Sequence, residues 1–262
     1  TGPMVPGTAA SRVNMQDYAK RIGAEYEFAE NPDVARKLCD VTAYFEWLNP
    51  MLEERFLKYD KVLSVDCDVF AVDGLNQSIF EEPIADVGIC TEPFQPKYRQ
   101  NFNNSKARIS GSKDEHWAQF VKGRWGITLP RTEEGLLKVY NAGVVVFTRG
   151  GLMKSTERFL PFKEYIKTSR GHKLLSSFYA IDQNYFHAMM VKHLDYTELD
   201  NGWNNYVHYL GHPTEAPRPV HDSRDANTKF VHIQLRAADH CDADTLWRIT
   251  NRPRAEWMEY KP

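Results

Sequence analysis

The ten residues Lys61-Val62-Leu63-Ser64-Val65-Asp66-Cys67-Asp68-Val69-Phe70 constrain this chain more than any other segment. A short, largely apolar run reads as a buried strand, and this one runs directly into two carboxylates separated by a single residue. When ionised, Asp66 and Asp68 only accept hydrogen bonds. As hard oxygen ligands they suit Mg2+ or Mn2+, with water and substrate phosphate completing the coordination shell. Two Asp after a strand also serve as turn formers or helix caps, so the pair by itself leaves both readings open.

The surrounding pattern is one of strands alternating with helices. Helical spacing covers Val13 to Ile22, a short strand is expected at Glu25 to Phe28, and a long helical stretch runs from Val34 to Leu48, breaking at Asn49-Pro50 and resuming to Lys58. A short helix near Leu75 to Phe80 and a strand at Asp86 to Cys90 follow. Thr91 to Ser112, rich in Pro, Asn, Ser and Lys, reads as a long surface loop. The second strong strand is Tyr140 to Thr148, ended by Gly150-Gly151. Helices are expected over Leu152 to Lys167 and Ser176 to Lys192, strands at Asp195 to Leu199 and Thr228 to Leu235, and a last helix from Asp242 to about Met258. Such alternation predicts an α/β sheet with helices on both faces. No repeat or linker forces a cut, so residues 1–262 are expected to form a single domain.

Composition narrows the function classes. Lys plus Arg number 33 against 35 Asp plus Glu, so no whole-protein field points to nucleic acid or an anionic membrane. Any phosphate site must be local. The four cysteines form no C-x-x-C pair, which fits a reducing, cytoplasmic setting. The longest apolar stretch, Ala142 to Phe147, is far too short to span a bilayer. The N-terminal residues have no signal-peptide pattern and read as the start of an internal fragment, which leaves room for an anchor or leading strand upstream.

Four segments stand in a telling order: Val65-Asp66-Cys67-Asp68-Val69, Tyr140-Asn141-Ala142-Gly143-Val144, Ile181-Asp182-Gln183-Asn184 and Val231-His232-Ile233. From about Asp17 to Arg236 the chain resembles the nucleotide-sugar glycosyltransferases of the GT-A fold, nearest to glycosyltransferase family 8, the glycogenin and lipopolysaccharide galactosyltransferase family. The resemblance implies a Rossmann-like mixed sheet flanked by helices, shortened or missing at its first strand. It also implies a soluble hexosyltransferase that moves a sugar from a nucleotide donor, UDP by family habit, to a glycan, protein or small-molecule acceptor.

The resemblance places Asp66, Asp68 and His232 on the metal. A cation against the diphosphate stabilises charge that grows as the sugar–phosphate bond breaks, and an imidazole ligand tilts the expected metal towards Mn2+ over Mg2+. Asn141, Ala142 and Gly143 would line the donor sugar; the plain alternative is a bulge beside a polar strand residue. Asp182 would orient sugar or acceptor and Gln183 would lie near the anomeric carbon; the plain alternative is a helix cap. An amide oxygen is too weakly basic for Gln183 to be a strong nucleophile. That leaves attack from the leaving-group face or a covalent intermediate on another carboxylate, with family habit favouring retention of configuration. Trp203 and Asn204 match the family's acceptor-side Trp-Asn, although Trp is equally a core anchor.

The departures are informative. Where the family follows its metal-binding His with an aromatic, Gly, and then Lys-Pro-Trp, this chain reads His232-Ile233-Gln234-Leu235-Arg236-Ala237-Ala238. Arg236 is the candidate substitute for the Lys that grips diphosphate. His208, His212, His221 and His240-Cys241 match no zinc-finger spacing. The basic and aromatic loop around Lys97, Arg99, Lys106, Arg108 and Lys113 reads as a lid over the donor or as solvated surface.

Three rivals share parts of the pattern. A haloacid-dehalogenase-type phosphatase also sets D-x-D after a buried strand and needs a later Lys and acidic pair, and no convincing acidic pair follows here. A non-catalytic nucleotide- or sugar-binding protein could keep the same side chains. A pyrophosphorylase needs a Gly-rich basic loop near its start, and none is present.

Overall fold

The structure is a computed structural model that describes residues 4–102, 107–209, 220–234 and 242–257. It is a mixed α/β chain in two compact units, one made of Thr1–Asn31, Val65–Glu82 and Asp200–Pro262, the other of Pro32–Ser64 and Pro83–Leu199. Among the described residues, no helix is long and apolar enough to cross a membrane.

The Pro32–Ser64 and Pro83–Leu199 unit carries a four-stranded sheet. Its strands are β1 (Lys61–Val65), β3 (Val87–Thr91), β4 (Tyr140–Thr148) and β5 (Tyr196–Glu198), in the order β1-β4-β3-β5. The sheet is mixed: β3 runs antiparallel to β4 and parallel to β5. β4 is buried from Tyr140 through Phe147, as expected for a near-continuous apolar run in a strand covered on both faces. Val145 and Phe147 share a core with Leu152, Phe186, Met189 and Met190, each such side chain contributing about 1.5–3 kcal/mol when fully buried.

Helices form where caps and breakers direct. The Thr148 side chain accepts from Gly151 N and opens α5 (Arg149–Arg158), and Pro161 then separates α5 from α6 (Phe162–Arg170), splitting the continuous helix expected over Leu152 to Lys167. Between Val34 and Lys58 the expected long helix is instead α2 (Val34–Cys39) followed by 3-10 segments at Ala43–Met51 and Glu54–Lys58. Asp40, with φ 49°, closes α2 in the left-handed region. The buried Glu46 carboxylate then accepts the backbone N–H groups of Ala35 and Arg36 at the start of that helix.

The stretch expected as a long basic loop holds α3 (Gln95–Gln100) and leads into α4 (Gly111–Trp125), which Ser110 caps and Gly126 ends. Burial explains the difference. Arg99 is enclosed and pairs with Asp114 at 3.1 Å, while Tyr179 donates to the same carboxylate at 2.7 Å. Lys97 pairs with Glu134 at 2.7 Å. Arg99 is therefore committed to the interior; Lys106 lies outside the described residues.

The other unit holds α1 (Pro6–Arg21), β2 (Val69–Ala71), β6 (Asn205–Tyr209), β7 (Val220–Asp222), β8 (Phe230–Gln234), α8 (Ala243–Asn251) and α9 (Arg254–Trp257). Its sheet order is β2-β8-β6-β7, with β8 antiparallel to β2 and parallel to β6. Phe70, Val207, Val231, Ile233, Leu246 and Ile249 form its core. α1 is fastened to β2 by side chains: Ser11 Oγ donates to Val69 O and Asn14 exchanges two hydrogen bonds with Ala71. Glu25 to Phe28 is extended chain outside both sheets, with Tyr26 and Phe28 half-buried and the Arg12 guanidinium over the Phe28 ring. Alternation there reports which side chains are covered, and a strand needs a ladder as well.

Candidate metal centre

Strand register brings the two motif carboxylates to the late histidine. Val69, the first residue of β2, pairs with His232 of β8, and Ile233 N donates to Asp68 O at 2.9 Å. Asp66 lies one tight turn earlier, its carbonyl accepting from Val69 N at 3.2 Å. Nε2 of His232 consequently stands 3.0 Å from Asp68 Oδ1 and 3.8 Å from Asp66 Oδ2. One ligand atom from each of the three residues lies within 4.8 Å of the others. The imidazole is 2% exposed, whereas the Asp66 and Asp68 side chains are 42% and 36% exposed, giving the cluster one closed and one open side.

The ring is held from behind. Asn204, fully buried, presents Oδ1 to His232 Nδ1 at 3.2 Å. With Asn204 Oδ1 facing Nδ1, the tautomer protonated on Nδ1 would turn the Nε2 lone pair towards the carboxylates. The Gln234 side-chain nitrogen lies 3.3 Å from that same Nε2. Fixing the remote nitrogen of a ligating His by a hydrogen bond is how proteins orient it for a metal. Two carboxylate oxygens and one imidazole nitrogen in this arrangement fit a divalent first-row cation.

Asn204 owes its place to a pinned turn. The 3-10 segment Asn201–Asn204 is capped by Asp200, whose Oδ1 accepts Gly202 N at 2.9 Å, and Lys229 N donates to Gly202 O at 2.7 Å. A Cβ on Gly202 would overlap the Asn227 carbonyl, so the turn seats here only with glycine. Trp203 is fully buried, donates its indole N–H to Glu82 at 2.8 Å, and packs edge-on against Phe230 with the Lys229 ammonium 5.1 Å from its ring centroid. Of its two readings, Trp203 takes the core-anchor position and shows no exposed ring face. On the same sheet His208 and His221 face each other across β6 and β7, rings 5.3 Å apart. Burial, then His221 and His232, pushes His208 down to about 4, so it is neutral at ordinary pH. His212, His240 and Cys241 lie outside the described residues, as does Arg236.

The remaining candidates belong to the other unit. Asn141 is buried on β4, its amide donating to Glu92 at 2.6 Å and its oxygen accepting Gly143 N at 2.7 Å. The pairing jumps from Ile89 with Val145 to Cys90 with Asn141, so the ladder is irregular at Asn141-Ala142-Gly143. Asp182 is the first residue of α7 (Asp182–His193), and its Oδ2 accepts the Trp47 indole N–H at 2.6 Å. Burial pushes its carboxyl up to about 6, opposed by the Trp47 bond and by backbone N–H groups at the helix start. Gln183 lines a small internal cavity of about 10 Å3 together with Asn184 and His187. Glu92 and Trp47 were not foreseeable partners, because the contacts they make span 49 and 135 residues.

No family model matches the chain, and no curated protein matches it. Among solved structures, mouse xyloside xylosyltransferase 1 in its apo form aligns with 86% of this chain and 72% of its own, at 15% identity and a TM-score of 0.43, too low a similarity to support an argument about fold or activity.

Proposed function

We propose that this chain is a metal-dependent glycosyltransferase of GT-A type, using Mn2+ and a UDP-sugar. The observation that carries the reading is the convergence of Asp66, Asp68 and His232 Nε2 on one point, with Asn204 against the far ring nitrogen. Bound there, a divalent cation would neutralise the diphosphate as it leaves. The chain's own residues supply the rest. Asp66 and Asp68 would hold the cation on its open side, where donor phosphate would complete the shell, and Asn204 would steady the His232 ring. By the resemblance, Asn141, Ala142, Gly143 and Asp182 bind the donor sugar, Gln183 lies near the reacting carbon, Asn204 reaches the acceptor side and Arg236 grips diphosphate.

The test is a thermal-shift screen of nucleoside diphosphates and sugar nucleotides with and without Mn2+, followed by turnover of whichever sugar nucleotide binds. A ligand that binds only the native state raises its apparent stability. Mn2+-dependent stabilisation by a nucleoside diphosphate and release of that diphosphate from its sugar support the reading. Phosphate release from simple phosphoesters points instead to the phosphatase, and tight nucleotide binding with neither transfer nor hydrolysis points to a binding protein.

A further inference from the structure

We infer that Trp47 is a positioning residue for the donor sugar, its indole N–H fixing the Asp182 carboxylate in an ionised, aimed state. The inference rests on the glycosyltransferase reading and names a residue that the sequence motifs do not contain. Trp47 Nε1 lies 2.6 Å from Asp182 Oδ2, a short charge-assisted contact. The indole is itself immobilised. Its backbone carbonyl accepts from Ser64 Oγ at 2.9 Å, and its ring packs edge-on against Phe186 of α7, with centroids 5.0 Å apart. The donor therefore reaches Asp182 from a neighbouring 3-10 segment, Ala43–Met51, that is anchored at two points.

Indole N–H is a donor only, so it favours the ionised carboxylate over the protonated one. Burial works the other way, pushing the Asp182 carboxyl up to about 6. Without the indole, the acid would hold its proton to still higher pH and its carboxylate would lose a fixed direction. An ionised, directed carboxylate is what accepting hydrogen bonds from sugar hydroxyls requires.

The experiment uses the full chain with selectively 15N-labelled tryptophan, and variants Trp47→Phe, Trp47→His and Asp182→Asn. Disappearance in Trp47→Phe assigns the Trp47 indole resonance. In the wild type that resonance is expected to shift with pH around a midpoint near the Asp182 value, and to stay flat in Asp182→Asn. In Mn2+-dependent turnover of a UDP-sugar, Trp47→Phe is expected to lower kcat by about 100-fold and move the acid limb of the pH profile upward. Its affinity for UDP with Mn2+ should not change. Trp47→His, which keeps a ring N–H donor, should recover part of the loss. A flat indole resonance, or a Trp47→Phe enzyme with wild-type kcat and pH profile, overturns the inference while the function stands. A wild-type protein that shows the indole titration yet turns over no sugar nucleotide overturns the functional reading and the role of Trp47 with it.

Discussion

Nε2 of His232 faces Asp68 Oδ1 at 3.0 Å with its other ring nitrogen already committed to Asn204 Oδ1. Two acceptor atoms at that separation repel unless a proton or a cation lies between them. A divalent cation would relieve that repulsion, and so would a proton on Nε2.

Asp68→Ala should remove Mn2+ binding and leave the fold intact, because the Asp68 side chain is partly exposed and its backbone contact to Ile233 is unaffected. At a metal concentration a hundred times its Kd, wild-type stabilisation is about 2.7 kcal/mol. Differential scanning fluorimetry should show that shift in the wild type and none in the variant. A retained shift would argue against the site.

Asn204→Ala keeps all three ligands and removes the bond that fixes the imidazole. Loss of such a partner lowers metal affinity by about 10–100-fold. Titration calorimetry should find weaker Mn2+ binding at unchanged stoichiometry, and unchanged affinity would show that the ring is oriented by packing alone.

His187 should contribute acid sensitivity to the unit around β4. It is buried between Tyr140 and Trp117, ring centroids 4.7 and 5.3 Å away, and burial, helped by Arg99, pushes it down to about 3 from an ordinary 6.5. Below the ordinary value the unfolded chain binds a proton that the folded one refuses, so stability falls as pH drops through the window from 6.5 to 3. Urea unfolding across that window should be flatter for His187→Gln than for the wild type.

Gly151→Ala should be among the costlier single-methyl changes. The added Cβ would overlap the Asp86 carbonyl, which already accepts from Thr148 N at 3.0 Å where β4 passes into α5. Overpacking of this kind costs about 3 kcal/mol, and a denaturant midpoint unchanged from wild type would mean that α5 shifts freely.

Much of this arrangement could be read in advance, and the failures have physical causes. β1 and β4 are legible as strands because their apolar runs end at polar or glycine signals, but β1, read as buried, is only half-buried along its length. The metal trio was legible only through the order of motifs, since nothing local in Val231-His232-Ile233 marks a ligand. Helices were misjudged where breakers were passed over: Pro161 cuts one, and Asp40 ends another in a conformation that few residues adopt. α4 went unnoticed although Ser110 and Gly126 bracket it. The basic loop was misread because Arg99 looks solvated in sequence and only a buried Asp114, fifteen positions on, makes it internal. Asn204, matched by the resemblance to the acceptor side, also stands against the far ring nitrogen of His232, a contact that no motif spacing reveals.

The uneven walls of the cluster have a practical meaning. An ion seated against a sealed imidazole but facing water through two half-open carboxylates would exchange with its surroundings and be lost on dialysis. Preparations made in chelating buffer should therefore emerge inert, and recover on adding back a divalent salt without any refolding.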